Sequence, residues 1–384
     1  MQPRRGRAMH DTVETNAVVI GASAAGLAVA ACLQEREVGF VVLEAAAQVA
    51  APWRTHYVRL HLHTPKSGSW LPGLKFDRSL PKYPARDDVV TYLEDYARHH
   101  RIEPRFGQRV SRVERSDHGW ITATGSHEYR SDNVVIATGY AHTPNVPVWP
   151  GVADYQGSVL HSSEYADGSR WEGQRVLVVG FGNSAGEIAI DLVEHGAETE
   201  MSVRGPVNVV PRDLAGIPVL SFGILGRRLP TRLSDAAFAP LLRRAVGDLT
   251  KAGLEPLPYG PMTQIHHHGS IPLLDVGTMD LIRRGVITVR RGINRFTRDG
   301  VAFVDGSVGA FSAVVLGTGY RPNLGAFLGR DIMRRALDED GVPLRSGVPS
   351  PLPGLYFCGF YVSPSGMLRE IRLEALAIAA VIAG

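Results

Sequence analysis

The most constraining stretch of the chain is residues 17–44, AVVIGASAAGLAVAACLQEREVGFVVLE. A short apolar β run over 17–20 enters a turn. In it Gly21 and Gly26 hold the first and last glycine positions of a G-x-G-x-x-G pattern. A helix over 24–34 follows, with Leu27, Ala30, Ala31 and Leu33 at near-helical spacing. A second buried strand over 38–43 ends at Glu44. This order lays a dinucleotide across a helix N-terminus: exposed N–H groups and the helix dipole meet the pyrophosphate, and the acid takes the ribose hydroxyls. Ser23 stands where the middle glycine is expected. Its small side chain still lets the backbone approach the phosphates.

The pattern then repeats. An apolar strand over 175–180 runs into Gly180-Phe181-Gly182-Asn183-Ser184-Ala185, followed by a helix over 184–195 and a strand over 199–203. Here the strand ends in Arg204, not an acid. An acid selects ribose hydroxyls, whereas an arginine suits a 2′-phosphate, to which Ser202 adds a hydrogen bond. Two turns with opposite charge at the end imply two dinucleotides, FAD at the first and NADPH at the second.

Residues 137–140 (ATGY) and 317–320 (GTGY) are echoing glycine turns at strand ends, and a third strand runs into Gly359. Thr138, Gly319 and Gly359 join the cofactor-binding candidates. The order of nucleotide fold, return, nucleotide fold, return predicts an α/β protein with two Rossmann-like dinucleotide-binding domains, the second inserted into the first. The expected division is a leader over 1–14, an FAD-binding domain over 15–165 and 310–384, and an NADPH-binding domain over 166–309. The proline-rich piece 206–262 is an insertion, read as a lid, a dimer contact or a lipid-facing patch.

Composition excludes several classes. Apolar residues make up 44% and charged residues 21% of 384, as in an ordinary soluble enzyme. The net charge of +3 is small and the arginines are spread, which argues against a nucleic-acid surface. Residues 1–14 are basic and polar without an apolar core, so they do not read as a signal peptide. No run of 18 apolar residues occurs. The two cysteines, Cys32 and Cys358, form no C-x-x-C pair. That favours a reducing, cytoplasmic setting and argues against flavin disulfide reductases, which need a dithiol beside the flavin. Residues 266–268 are three consecutive histidines, read as a polar loop rather than a metal site. A homodimer is common for enzymes of this size.

Between the two glycine turns lies Tyr155-x-Gly157-x-x-x-His161-x-x-x-Tyr165. With the turns on either side, this resembles the fingerprint of flavin-containing monooxygenases, class B flavoprotein monooxygenases. Tyr155 replaces the usual Phe, and Tyr165-Ala166 fits the Baeyer–Villiger variant poorly. Residues 59–66 (RLHLHTPK), Pro211-Arg212, 272–277 (PLLDVG), 317–323 (GTGYRPN) and 354–360 (GLYFCGF) are most similar to the YUCCA-type indole-pyruvate monooxygenases and their bacterial relatives. The resemblance implies that NADPH passes hydride to FAD and that reduced flavin binds O2 as a C4a-(hydro)peroxide, which NADP+ shields. The substrate it implies is a small organic molecule: an arylpyruvate undergoing oxidative decarboxylation, or an N- or S-centre. An NADPH oxidase or flavin reductase without oxygenation is the alternative. The resemblance also implies His63 near the flavin and oxygen, Trp53 and Arg54 as flavin contacts, and His161 as a linker residue. No acid–base dyad is expected. Arg212 reads equally as a substrate carboxylate partner or a surface residue.

Overall fold

The computed structural model describes residues 11–226 and 229–384. Its first strand, β1 (Asp11–Ile20), starts inside the stretch read as a leader, because residues 11–15 pair with 127–131 of β5 (His127–Ile136). The remaining leader residues, 1–10, lie outside the described residues. A six-stranded sheet is built on this pair. β2 (Phe40–Leu43) lies parallel on one side of β1. β3 (Arg112–Ser116) and β4 (Gly119–Ala123) form an antiparallel edge beyond β5. The chain then leaves for a second sheet, whose five strands are all parallel. In chain order these are β6 (Ser158–His161), β7 (Arg175–Val179), β8 (Glu198–Ser202), β9 (Thr288–Arg290) and β10 (Ala313–Leu316). Their spatial order is β9-β8-β7-β10-β6. Afterwards the chain returns: β11 (Leu355–Phe357) pairs with the C-terminal half of β5 in the first sheet.

The helix α1 (Ala24–Gln34) is buried on every side, from Ala24 through Leu33. Its alanines make this geometry work, since they let the first sheet and the last helix, α7 (Met367–Ala383), pack closely on opposite faces. Each fully buried leucine among them, Leu27 and Leu33, contributes about 1.5–3 kcal/mol. Two glycines make the entry turn. Gly21 has φ +109°, and a Cβ there would stand 2.7 Å from the Ala137 carbonyl oxygen. A Cβ on Gly26 would lie 1.8 Å from the Gly21 carbonyl oxygen, so helix and turn touch backbone to backbone. The other helices used below are α2 (Arg86–His99), α3 (Asn183–Glu194), α4 (Val219–Gly226), α5 (Thr231–Val246) and α6 (Pro261–His268).

The three histidines at 266–268 are the last turn of α6 and not a loop: Pro261 starts the helix and Gly269, in the left-handed region, ends it. Among the described residues no group of three His, Cys, Asp or Glu could hold a metal ion, and no helix is long and apolar enough to cross a membrane.

Candidate functional site

The carboxyl ends of the parallel strands in the two sheets face one cavity of about 880 Å³. Its floor is the N-terminus of α1 with Ser23, Ala24 and Ala25. Its walls are residues 60–64, the turns at Thr138-Gly139 and Thr318-Gly319, and Asn183 at the head of α3. Its roof is apolar, built by Leu220 and Phe222 of α4, Phe238 and Leu242 of α5, and Met262 and Ile265 of α6. Part of the 206–262 insertion therefore lines the cavity. In the roof Phe222 and Phe238 meet edge to face at 5.6 Å.

The floor fits the pyrophosphate and flavin of FAD. Ser23 caps α1 without a side-chain bond, so its hydroxyl and the first amides of the helix remain unspent. The Thr138 hydroxyl is buried with no partner, an orphan that a bound polar atom would satisfy. Glu44 accepts from the Ala22 amide at 2.7 Å and from the Ala46 amide at 2.8 Å. It thus braces the glycine turn while its remaining lone pairs stay open to hydroxyls. Trp53, Gly319 and Gly359 line the cavity, the two glycines with φ +80° and +85°. The Gly359 amide donates to Glu374 Oε2 at 2.6 Å from inside α7. Burial pushes the Glu374 carboxyl up to about 6 from 4.5.

Arg54 is a different matter. Its guanidinium is tied to Glu94 of α2 and to the Val49 carbonyl at 3.2 Å, off the cavity. Arg212 is likewise outside, stacked 4.1 Å over the Tyr83 ring beside Asp213.

At the second turn, Gly182 caps α3, and a Cβ there would meet nothing within 4 Å, so the space above the helix head is open to a phosphate. A Cβ on Gly180 would strike the Gly317 carbonyl oxygen at 2.5 Å, while Ala185 is fully buried in the core. The side chains of this turn are already engaged. Asn183 Oδ1 accepts from the Leu274 amide at 2.8 Å, and Ser184 hydrogen-bonds the Tyr57 phenol. Ser202 is buried and donates to the Arg291 carbonyl at 2.9 Å, so its hydroxyl faces inward rather than toward a ligand. Arg204 is exposed at the end of β8 and holds no ion pair among the described residues.

His63 lines the cavity and pairs through Nε2 with Glu187 Oε1 of α3. This carboxylate–imidazole dyad corrects the expectation that none exists. Glu187 is 124 residues away in sequence. Its one signal is an acid on the apolar face of the helix, next to Ile188. Near the site, His56 and His161 are held below the ordinary imidazole range. His56 is lowered by burial and then by Arg86, and His161 by burial, with the Gly319 carbonyl opposing. The fingerprint residues act as a strap. Tyr155 donates to the Phe311 carbonyl at 2.7 Å, His161 Nε2 to the Gly319 carbonyl at 3.0 Å, and Tyr165 to Asp191 at 2.6 Å. Cys32 and Cys358 are buried free thiols, Cys32 pushed up to about 12 mainly by burial. No redox-active pair lies here.

Residues 18–213 match the family model described as pyridine nucleotide-disulphide oxidoreductase. The chain is 37% identical over 357 residues to the probable indole-3-pyruvate monooxygenase YUCCA1 of Arabidopsis thaliana, covering 89% of this chain and 84% of that protein. It is 37% identical over 379 residues to the indole-3-pyruvate monooxygenase YUCCA1 of Oryza sativa subsp. japonica, covering 94% and 90%. Among solved structures, the flavin-containing monooxygenase from Stenotrophomonas maltophilia superposes with a TM-score of 0.73 at 22% identity, covering 96% of this chain and 99% of that one. An ε-caprolactone-bound cyclohexanone monooxygenase superposes with a TM-score of 0.76 at 19% identity, covering 96% and 87%. At these identities the superpositions speak for the fold.

Proposed function

The chain belongs to the YUCCA-type flavin monooxygenases, within the pyridine nucleotide-disulphide oxidoreductase family, and from that premise we propose that its substrate is an arylpyruvate-type keto acid. It is an FAD-dependent, NADPH-consuming monooxygenase. FAD held at the head of α1 by the Gly21–Gly26 turn would supply the O2 chemistry, after reduction by NADPH, that puts one oxygen atom on the substrate. The proposed overall change is balanced: keto acid, O2, NADPH and a proton give the acid one carbon shorter, CO2, NADP+ and water. The bond between keto carbon and carboxylate breaks, and a carbon–oxygen bond forms at the keto carbon.

The observation that carries the substrate reading is the roof. Leu220, Phe222, Phe238, Leu242, Met262 and Ile265 form an apolar chamber continuous with the floor where Ser23, Thr138 and His63 stand. An aryl group fits beside the Phe222–Phe238 edge-to-face pair, with its polar end toward that floor. The chamber's apolar walls exclude water from the reacting end. We read the first sheet as an FAD-binding domain (15–165 and 310–384) and the second as an NADPH-binding domain (166–309) inserted into it. Gly21, Gly26 and the head of α1 seat the FAD pyrophosphate, and Glu44 the ribose. Gly180, Gly182 and the head of α3 seat that of NADPH, with Arg204 on the 2′-phosphate. His63 is the polar side chain that faces the flavin.

The test is oxygen-dependent NADPH turnover against arylpyruvates, amines and thioethers, with products identified. Stoichiometric CO2 and the shortened acid are expected. A higher kcat/KM for amines or thioethers, with oxygen on nitrogen or sulfur, refutes the keto-acid reading.

A further inference from the structure

Glu187 sits one turn into α3 at 4% exposure, among Ala185, Ile188 and Ala189, which are fully buried. A carboxylate in such company is costly unless it is paired. The groups that face it are few. His63 meets it through Nε2 from the cavity wall. The Tyr57 phenol is held well above its ordinary range, by burial first and then by Glu187's charge, with Ser184, Tyr320 and Arg59 as lesser neighbours. Arg59 itself is bound to Glu194 at 3.0 Å. The only hydrogen bond that His63 makes from its ring among the described residues is the one to Glu187, so Nδ1 is without a partner.

We infer that Glu187 is a positioning residue that fixes the tautomer of His63. A carboxylate only accepts, so the ring nitrogen it binds must carry the proton. With the proton on Nε2, a neutral ring has a bare Nδ1. The second nitrogen of a held imidazole is set by the bond the first one makes. His63 then offers the flavin side of the cavity a hydrogen-bond acceptor, which aligns an N–H or O–H there. The pair also ties the 60–66 segment to the helix that begins at the second glycine turn. The inference rests on the reading that His63 faces the flavin.

The experiment uses the full chain labelled with 15N-histidine, with and without FAD, the His63 signals being identified by their loss in His63→Asn. The parent is expected to show protonated Nε2 and bare Nδ1. Glu187→Gln, whose amide oxygen still accepts, keeps that pattern. Glu187→Leu mixes the tautomers and lowers product formed per NADPH by about tenfold, the worth of one hydrogen bond to a charged group, with peroxide released instead. Combined with His63→Ala, Glu187→Leu adds no further loss, because it acts only through the imidazole. A protonated Nδ1 with bare Nε2 in the parent, or additive losses in the double variant, overturns the inference. The parent spectrum decides even if Glu187→Leu does not fold. A His63→Ala enzyme with undiminished product yield would instead sink the placement of His63 at the flavin, leaving the tautomer measurement to judge Glu187.

Discussion

Glu374 makes stability depend on pH in an unusual direction. Its carboxyl is buried at 7% exposure in α7 and is pushed up to about 6 from 4.5, chiefly by burial, with the Gly359 amide opposing. An acid whose pKa is raised by folding stabilises the native state fully below about 4.5, and that contribution is lost as pH rises through about 6. Moving the carboxyl from 4.5 to about 6 corresponds to about 2 kcal/mol. At pH 8 the native chain therefore carries an ionised carboxylate that Glu374→Gln would remove. The glutamine oxygen would still accept from the Gly359 amide. The variant is expected to unfold about 2–4 °C higher than the parent at pH 8, and to match or trail it at pH 4.5. Thermal unfolding by circular dichroism across pH 4.5–8 reads both. A parent–variant difference that does not change with pH, or a variant less stable at pH 8, would refute the reasoning.

Arg204→Ala should raise the KM for NADPH about tenfold while sparing NADH, since the exposed guanidinium would lose only the 2′-phosphate; equal effects on both cofactors refute the assignment. Thr138→Val should leave the melting temperature of the FAD-free chain unchanged, because the hydroxyl has no protein partner, yet weaken FAD binding by up to about tenfold in titration. Gly26→Ala should yield protein that does not retain FAD, as a Cβ 1.8 Å from the Gly21 carbonyl oxygen forces turn and helix apart; a yellow, stable variant would show that the turn yields. Phe238→Ala should lower kcat/KM for arylpyruvates more than for pyruvate itself, measured by NADPH consumption.

Much of the fold was legible because the glycine turns punctuate strongly periodic segments. The strand–turn–helix at 17–34 rests on local rules alone: steric room at Gly21 and Gly26, and apolar spacing in α1. What was hidden depends on distant partners. Arg54 looks free until Glu94 of α2 arrives to hold it, and Ser202 looks like a phosphate ligand until the Arg291 carbonyl accepts its hydrogen bond. Glu187 meets His63 only because two sheets face each other. The histidines at 266–268 looked like loop because their helix is short, and Pro261 and Gly269, which delimit it, serve turns equally well.

β5 has consequences for biogenesis. It pairs with β1 and β4 early in the chain, but its C-terminal half waits for β11, more than 200 residues later in synthesis. Until residues 355–383 have left the ribosome, β5 keeps an open edge and α1 lacks the cover of α7. A nascent chain therefore passes through a long interval with a sticky strand and a bare alanine helix, and the second sheet closes first, when β10 joins β6 to β7 shortly before β11 is made. Ribosome-stalled chains ending before Leu355 should bind chaperones and fail to load FAD, and the cofactor should be captured only once β11 clicks into its slot.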